Sequence, residues 1–300
     1  MTIGFIGLGR MGKNMVLNLL DHKQQVVVYD RHQKPTKEME KFGATPSYTL
    51  NELVDKLPKR KIVWIMITSS AVDEILKKIV PLLKKEDIII DGGNSYFKDS
   101  IRRYNELRKK GIHFVDVGTS GGMEGARNGA CLMIGGEKEI YKTLEPTFKA
   151  LATKNGYGYM GKIGAGHFVK MVHNGIEYGM MAAIGEGFET LENYRNKFGF
   201  NLKEITKVYS HGSIISSSLI NWLNDAINKK EFGDIKGEVP TGETEKEMES
   251  LTKLSEMPIL KLSIQERIDS RKRNNYRSKV VAALRNEFGG HKVEKKWHRY

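Results

Sequence analysis

The chain opens on a short apolar run, Thr2–Ile6, that stops at Gly7, and Met11–Leu20 then repeats apolar residues at helical spacing. Gln25–Tyr29, Ile62–Ile67, Ile88–Ile90, His113–Val117 and Cys131–Ile134 are short runs of β-branched or apolar residues and read as strands. Helix-like stretches lie between them, among them Ala71–Leu83 and Asp99–Lys110, the latter closed by Gly111. Strands alternating with helices predict an α/β fold with a doubly wound parallel sheet. The alternation ends near Gly164. Ala165 to about Lys197 is one long helical stretch without proline, and Leu202–His211 and Ser216–Asn228 continue in the same style. Phe232–Thr244 is polar and contains glycine, after which helix-like sequence resumes to about Phe288. The expected organisation is an α/β domain over residues 1–162 and an all-helical domain over 163–300. Glu243–Glu249, rich in Lys and Glu, reads as a solvated surface.

Composition changes this picture little. Hydrophobic residues make up 39% of the chain, enough for a sizeable core, and Cys131 is the single cysteine, so no internal disulfide can form. That suits a reducing compartment. The glycine-broken Ile3–Gly9 has no basic region before it and does not resemble a signal peptide, and no apolar stretch is long enough to span a membrane. The cytoplasm is the expected location. Charge is more informative: the formal net charge is +13, and residues 261–300 hold much of the excess. A solvated tail, a nucleic-acid or acidic-membrane surface, and a site for a small multiply charged anion all fit that excess.

Gly7-Leu8-Gly9-Arg10-Met11-Gly12 matches the Gly-x-Gly-x-x-Gly dinucleotide fingerprint. It follows a strand and opens a helix, as the motif requires. The first glycine permits the tight turn, the second lets the backbone approach a pyrophosphate, and the third lets helix and strand pack closely. The phosphates then sit on the helix N-terminus. Such a Rossmann-like domain implies NAD or NADP. Asp30 closes the second strand 18 residues past Gly12. An acid there accepts ribose hydroxyls and repels a 2′-phosphate, which favours NAD. Arg31 and Lys34 beside it leave NADP open.

Further on, Lys170, His173, Asn174 and Glu177 recur at i, i+3, i+4 and i+7, which places them on one helix face. Lys170 and Glu177 are then about 10 Å apart along the axis. Such a stripe serves either an internal ion network or a site.

With this stripe the sequence resembles the 6-phosphogluconate dehydrogenases, and their short form in particular, over nearly its whole length. The resemblance rests on Gly7–Asn14, Asp91-Gly92-Gly93-Asn94-Ser95, Ser120–Arg127, Gly164–Tyr178, His211-Gly212-Ser213 and Arg285–His291. It implies oxidative decarboxylation of 6-phosphogluconate to ribulose 5-phosphate in the pentose phosphate pathway, with NAD(P) and no metal, by a homodimer or a dimer of dimers. It implies that Lys170 is the base and that Glu177 returns a proton to carbon. Asn94 then lies near nicotinamide and substrate, and Ser120, Gly121 and Gly122 hold the carboxylate end. His173 and Asn174 bind hydroxyls, and Tyr178, Arg267, Arg285 and His291 gather at the phosphate. In this family Arg285 and His291 reach the site of the partner subunit. Short-form members carry a Gly-Glu-Gly-Arg-Trp-Thr-like stretch where this chain has Gly242–Glu247, so the tryptophan is missing and Lys246 is the nearest stand-in.

Two rivals remain. A 3-hydroxyacid dehydrogenase of the 3-hydroxyisobutyrate dehydrogenase type shares the fingerprint, the Ser-Gly-Gly loop and the lysine. Those enzymes usually carry Asn-Asn in place of His173-Asn174. A basic nucleic-acid binder would need a recognised motif or an aromatic ladder, and the sequence offers neither.

Overall fold

A computed structural model describes residues 1–295. The strands are β1 (Thr2–Ile6), β2 (Gln25–Tyr29), β3 (Thr45–Pro46), β4 (Ile62–Ile65), β5 (Ile88–Asp91), β6 (His113–Ser120), β7 (Ala130–Gly135) and β8 (Ala152–Gly161). They form one sheet in the order β3-β2-β1-β4-β5-β6-β7-β8. The sheet is mostly parallel, as expected, but β7 runs antiparallel to β6, with Ser120 opposite Cys131 and Asp116 opposite Gly135.

Alternate strand residues enter two apolar cores, which is why the strands are nearly continuous in Val and Ile. Ile3, Phe5, Val26, Val28, Trp64, Ile88, Ile90, Val115 and Val117 fill one face. Val27, Val63, Ile65, Ile89 and Phe114 fill the other. The helices that cover these faces are α1 (Arg10–Asp21), α2 (Gln33–Glu40), α3 (Leu50–Asp55), α4 (Ser69–Ile79), α5 (Phe97–Arg108), α6 (Gly122–Asn128) and α7 (Lys138–Leu151).

The chain divides into two compact units, Met1–Met171 and one that begins at Val172. Helix α8 (Ala165–Asn193) runs through that division. The second unit is helical: α9 (Arg195–Phe198), α10 (Leu202–Tyr209), α11 (Ser218–Asn228), α12 (Glu243–Leu254), α13 (Pro258–Arg273) and α14 (Tyr276–Gly289). Its apolar core includes Leu219, Ile220, Leu223, Met248, Leu251, Val280 and Leu284. No described helix is long and apolar enough to cross a membrane. Of the basic C-terminal residues, Lys296 and Arg299 lie outside the described residues.

Helix α12 departs from the sequence reading. A solvated surface was expected over Glu243–Glu249, yet Glu245 and Met248 are buried, and Glu245 forms an ion pair with Arg271. An amphipathic helix needs only one inward residue per turn, so a Lys/Glu-rich stretch can still supply a core face.

Candidate active site

The carboxyl ends of β1, β2, β5 and β6 carry the predicted residues of the first unit. They lie where an open α/β sheet takes its ligands, beside the reversal of strand order between β1 and β4. The three glycines of the fingerprint divide their work by space. Gly7 has φ +99°, and a Cβ there would lie 2.4 Å from the Met66 carbonyl oxygen. A Cβ on Gly12 would lie 2.0 Å from the Gly7 carbonyl oxygen, so the first turn of α1 can touch β1 only if that residue is glycine. At Gly9 a Cβ would meet nothing within 4 Å. That open space faces the start of α1, where main-chain N–H groups are available to a phosphate, so the loop fits a dinucleotide. Leu8 is buried, while Arg10 is exposed and Met11 half-buried on the first turn of α1.

Asp30 is fixed by the same loop. One carboxylate oxygen accepts the Leu8 N–H at 2.8 Å, and the other accepts the His32 N–H at 2.8 Å. Arg31 and Lys34 are both exposed next to it, and the Arg31 Nε lies 3.1 Å from the His32 ring.

The Asp-Gly-Gly-Asn-Ser segment owes its shape to a buried charge network. Asp91 is fully buried; its two oxygens take the Gly93 N–H at 3.2 Å and the Ser95 hydroxyl at 2.8 Å. Arg103, only 2% exposed on α5, donates to Asp91 at 3.0 Å, to Ser95 at 3.2 Å and to Asp73 at 2.8 Å. Burial works to raise the Asp73 carboxyl, but hydrogen bonds and charge from Arg103 and Arg102 outweigh it and hold Asp73 below the usual range. Asn94 is thereby held half-buried at the mouth of β5. Arg103→Ala should destabilise the protein by ~3–5 kcal/mol, because it leaves the Asp91 charge buried without a partner. The urea midpoint measures this, and a loss under ~1 kcal/mol would contradict the network's role.

Ser120, Gly121 and Gly122 turn the chain from β6 into α6. Gly121 and Gly122 have φ of +116° and +62°, so two successive residues sit in the left-handed region that glycine enters freely. Lys170 lies beside β6: a Cβ on Gly118 would fall 2.4 Å from the Lys170 Cβ.

Helix α8 does carry Lys170, His173, Asn174 and Glu177 on one uninterrupted helix. His173 Nδ1 is 3.3 Å from the Asn174 amide oxygen and 3.8 Å from a Glu177 oxygen, and Asn174 is buried.

The second unit also gathers cations. The Arg267 guanidinium lies over the Tyr178 ring, 3.2 Å from its centroid, an arrangement that holds a cation electrostatically. Burial pushes Arg267 down to about 10; Tyr178 opposes this and the neighbouring charge of Arg285 adds to it. Arg285 is itself buried and pushed down by burial, and it donates to the Pro240 carbonyl oxygen at 3.0 Å. The Tyr178 hydroxyl meets the Thr244 hydroxyl at 2.9 Å. Tyr178, Glu245 and Glu177 work against burial at both arginines.

Tyr178, Arg267 and Arg285 are thus brought together within one chain. His291 is exposed, its ring against Phe288 at 6.3 Å, and Lys246 is exposed on the outer side of α12. Sequence reasoning missed Thr244, Glu245 and Arg271. Arg271 follows Arg267 at i+4 on α13, a spacing that could have flagged it.

A sheet of this order, with this glycine loop and strand-end acid, defines a nicotinamide-dinucleotide-binding fold. Family models agree. Residues 2–170 match the NAD binding domain of 6-phosphogluconate dehydrogenase, and residues 166–197 match the 6-phosphogluconate dehydrogenase C-terminal domain. The Bacillus subtilis protein YqeC, provisionally named a 6-phosphogluconate dehydrogenase, is 47% identical over 99% of this chain and 100% of its own. The NAD(+)-dependent, decarboxylating 6-phosphogluconate dehydrogenase of Haloferax volcanii is 37% identical over 99% of both chains. Among solved structures, Plasmodium falciparum 6-phosphogluconate dehydrogenase, studied with its cofactor NADP+ and with its substrate 6-phosphogluconate, superposes with a TM-score of 0.81 at 30% identity. That match covers 90% of this chain and 62% of the Plasmodium chain. The chain belongs to the 6-phosphogluconate dehydrogenase family, whose members are NAD(P)-dependent dehydrogenases.

Proposed function

We propose that the protein oxidises and decarboxylates 6-phosphogluconate to ribulose 5-phosphate and carbon dioxide, with NAD as the preferred acceptor. The observation that carries this reading is the Lys170–Glu177 face of α8, a base and an acid on one helix. Full-length similarity to the decarboxylating Haloferax enzyme supports it. A dinucleotide held at its pyrophosphate by Gly7–Gly12 and at its adenosine ribose by Asp30 would supply the hydride acceptor. Neutral Lys170 takes the proton of the substrate 3-hydroxyl as hydride leaves C3. The resulting 3-keto acid loses its carboxylate as carbon dioxide. Lys170, now protonated, hydrogen-bonds the enolate oxygen that develops, and Glu177 delivers a proton to the carbon that lost carbon dioxide, C2 of the substrate and C1 of ribulose 5-phosphate. Ser120–Gly122 receive the carboxylate end through main-chain N–H groups, while His173 and Asn174 take hydroxyls. Tyr178, Arg267 and Arg285 take the phosphate, for which the arginine fork is suited. Asn94 lies with the nicotinamide and substrate, and His291 joins the phosphate end. An initial-rate assay with 6-phosphogluconate and each cofactor, with carbon dioxide followed in parallel, tests the reading. Reduction of cofactor without gas release, or turnover of 3-hydroxyisobutyrate alone, overturns it.

Asp30 is the proposed source of NAD preference. In Asp30→Ala, Arg31 and Lys34 are freed to meet a 2′-phosphate. A charge-assisted contact is worth ~1.5–3 kcal/mol, so the NAD:NADP ratio of kcat/KM should fall ~10–100-fold. A wild type that already prefers NADP contradicts this role.

A further inference from the structure

We propose that Asp116 is the positioning residue for Lys170, an inference that rests on Lys170 being the base. Helix α8 begins at a residue that cannot cap it. The Gly164 carbonyl oxygen accepts the first helical bond from the Phe168 N–H at 2.9 Å, so Gly164 is the N-cap. Helices usually satisfy their first N–H groups with a Ser, Thr, Asp or Asn side chain at this position. Gly164 has φ +86°, and a Cβ there would lie 2.9 Å from Ile101 Cγ1. The neighbouring helix α5 therefore excludes a self-capping residue.

Asp116, on β6, does the capping instead. One oxygen accepts the Gly164 N–H at 2.7 Å and the other accepts the His167 N–H at 2.8 Å. The carboxylate is fully buried, and the positive end of the helix dipole favours its charge. The seat around it leaves no slack. A Cβ on Gly135, opposite Asp116 on β7, would lie 2.6 Å from the Asp116 oxygen and 2.6 Å from the Gly166 nitrogen. A Cβ on Gly166 would lie 2.5 Å from the carbonyl oxygens of Asp116 and Met133. A second brace comes from His167, whose Nδ1 lies 2.7 Å from the Ser100 hydroxyl of α5.

Side chains two apart on a strand share a face. Asp116, Gly118 and Ser120 therefore line one side of β6 in succession. Asp116 anchors the start of α8, Gly118 lies against the Lys170 Cβ and the Gly166 carbonyl oxygen, and Ser120 opens the loop proposed to hold the substrate carboxylate. The distance from base to loop is thus set within one strand, and Asp116 is the part that pins the helix to it.

Asp116→Asn keeps the side-chain shape but turns one acceptor into an NH2 that faces an N–H. Asp116→Ser, smaller and with one acceptor, serves if the first variant does not fold. Three readouts are taken on the full chain: kcat per NADH-binding molecule, the NADH dissociation constant, and the pH dependence of Lys170 acylation by acetic anhydride, read by mass spectrometry. A base displaced by about an ångström costs ~100-fold, so kcat should fall ~10–100-fold while the NADH constant stays within about twofold. The pH midpoint of Lys170 acylation should move. A merely structural role predicts a lower unfolding midpoint with kcat per binding molecule and the Lys170 midpoint unchanged, and that result overturns the proposal. Should the wild type fail to turn over 6-phosphogluconate, the functional reading falls, and the acylation profile still decides the role of Asp116.

Discussion

Lys170→Ala should remove the oxidation step and leave the rest of the protein in place. The side chain belongs to the third residue past His167 on α8, and its Cβ rests against Gly118, so a methyl group at this position fits the same seat. A positioned acid–base group contributes ~10²–10⁴ in rate, and the loss should lie in that range. The cofactor loop is built from β1, β2 and α1, apart from α8, so NADH binding should stay near the wild-type value. Stopped-flow reduction of NAD and an NADH titration on the same sample check both halves. Turnover like that of the wild type, in a folded variant, removes Lys170 from the role of base.

Glu177→Gln should separate oxidation from product formation. Gln keeps the side-chain shape and removes the transferable proton, so steady-state release of ribulose 5-phosphate should fall ~10²–10⁴-fold. A first round of NAD reduction on the enzyme should survive, because the keto acid forms before the carbon that lost carbon dioxide is protonated. The electrostatics add a second expectation. Glu177 is one of the charges that hold the Arg267 and Arg285 guanidinium groups up, against burial. With that carboxylate neutralised, the two arginines lose an internal competitor for phosphate, so the KM for 6-phosphogluconate should not rise. Unchanged product formation, or a burst that vanishes together with the steady rate, counts against the assignment.

The parts legible in the sequence are those whose signal is local. β1, β2, β4 and β5 are apolar on both faces and announce themselves as runs. The glycine loop and the i, i+3, i+4, i+7 stripe are fixed by spacing alone. What escaped depends on distant partners. β3 is two residues long, and β8 is an edge strand whose Thr153, Lys154 and Asn155 are exposed, so neither shows an apolar pattern. The antiparallel direction of β7 is set by the Ser120–Asn128 turn and helix, and no local pattern encodes direction. Arg103 and Asp116 looked like ordinary charges because burial and partners decide their work. Arg285 is singled out in the sequence, but through the family resemblance alone. The family resemblance assigns it to the partner's site, whereas this chain sets it beside its own Arg267 and Tyr178. Reassembling Lys170→Ala with Arg285→Ala protein would tell the two arrangements apart, since only a site shared between chains regains activity.

One cross-strand pair offers an experimental handle. Cys131 is exposed and is the only cysteine in the chain, and it stands opposite Ser120 on β7. Directly opposed residues on antiparallel strands hold their side chains about 4.5–5.5 Å apart on the same face. A thiol-reactive fluorophore would therefore attach at one known position without any engineered cysteine, next to the loop proposed to receive the substrate carboxylate. Its emission would register ligand arrival at that loop directly, so binding could be timed apart from hydride transfer, which the nicotinamide absorbance already reports.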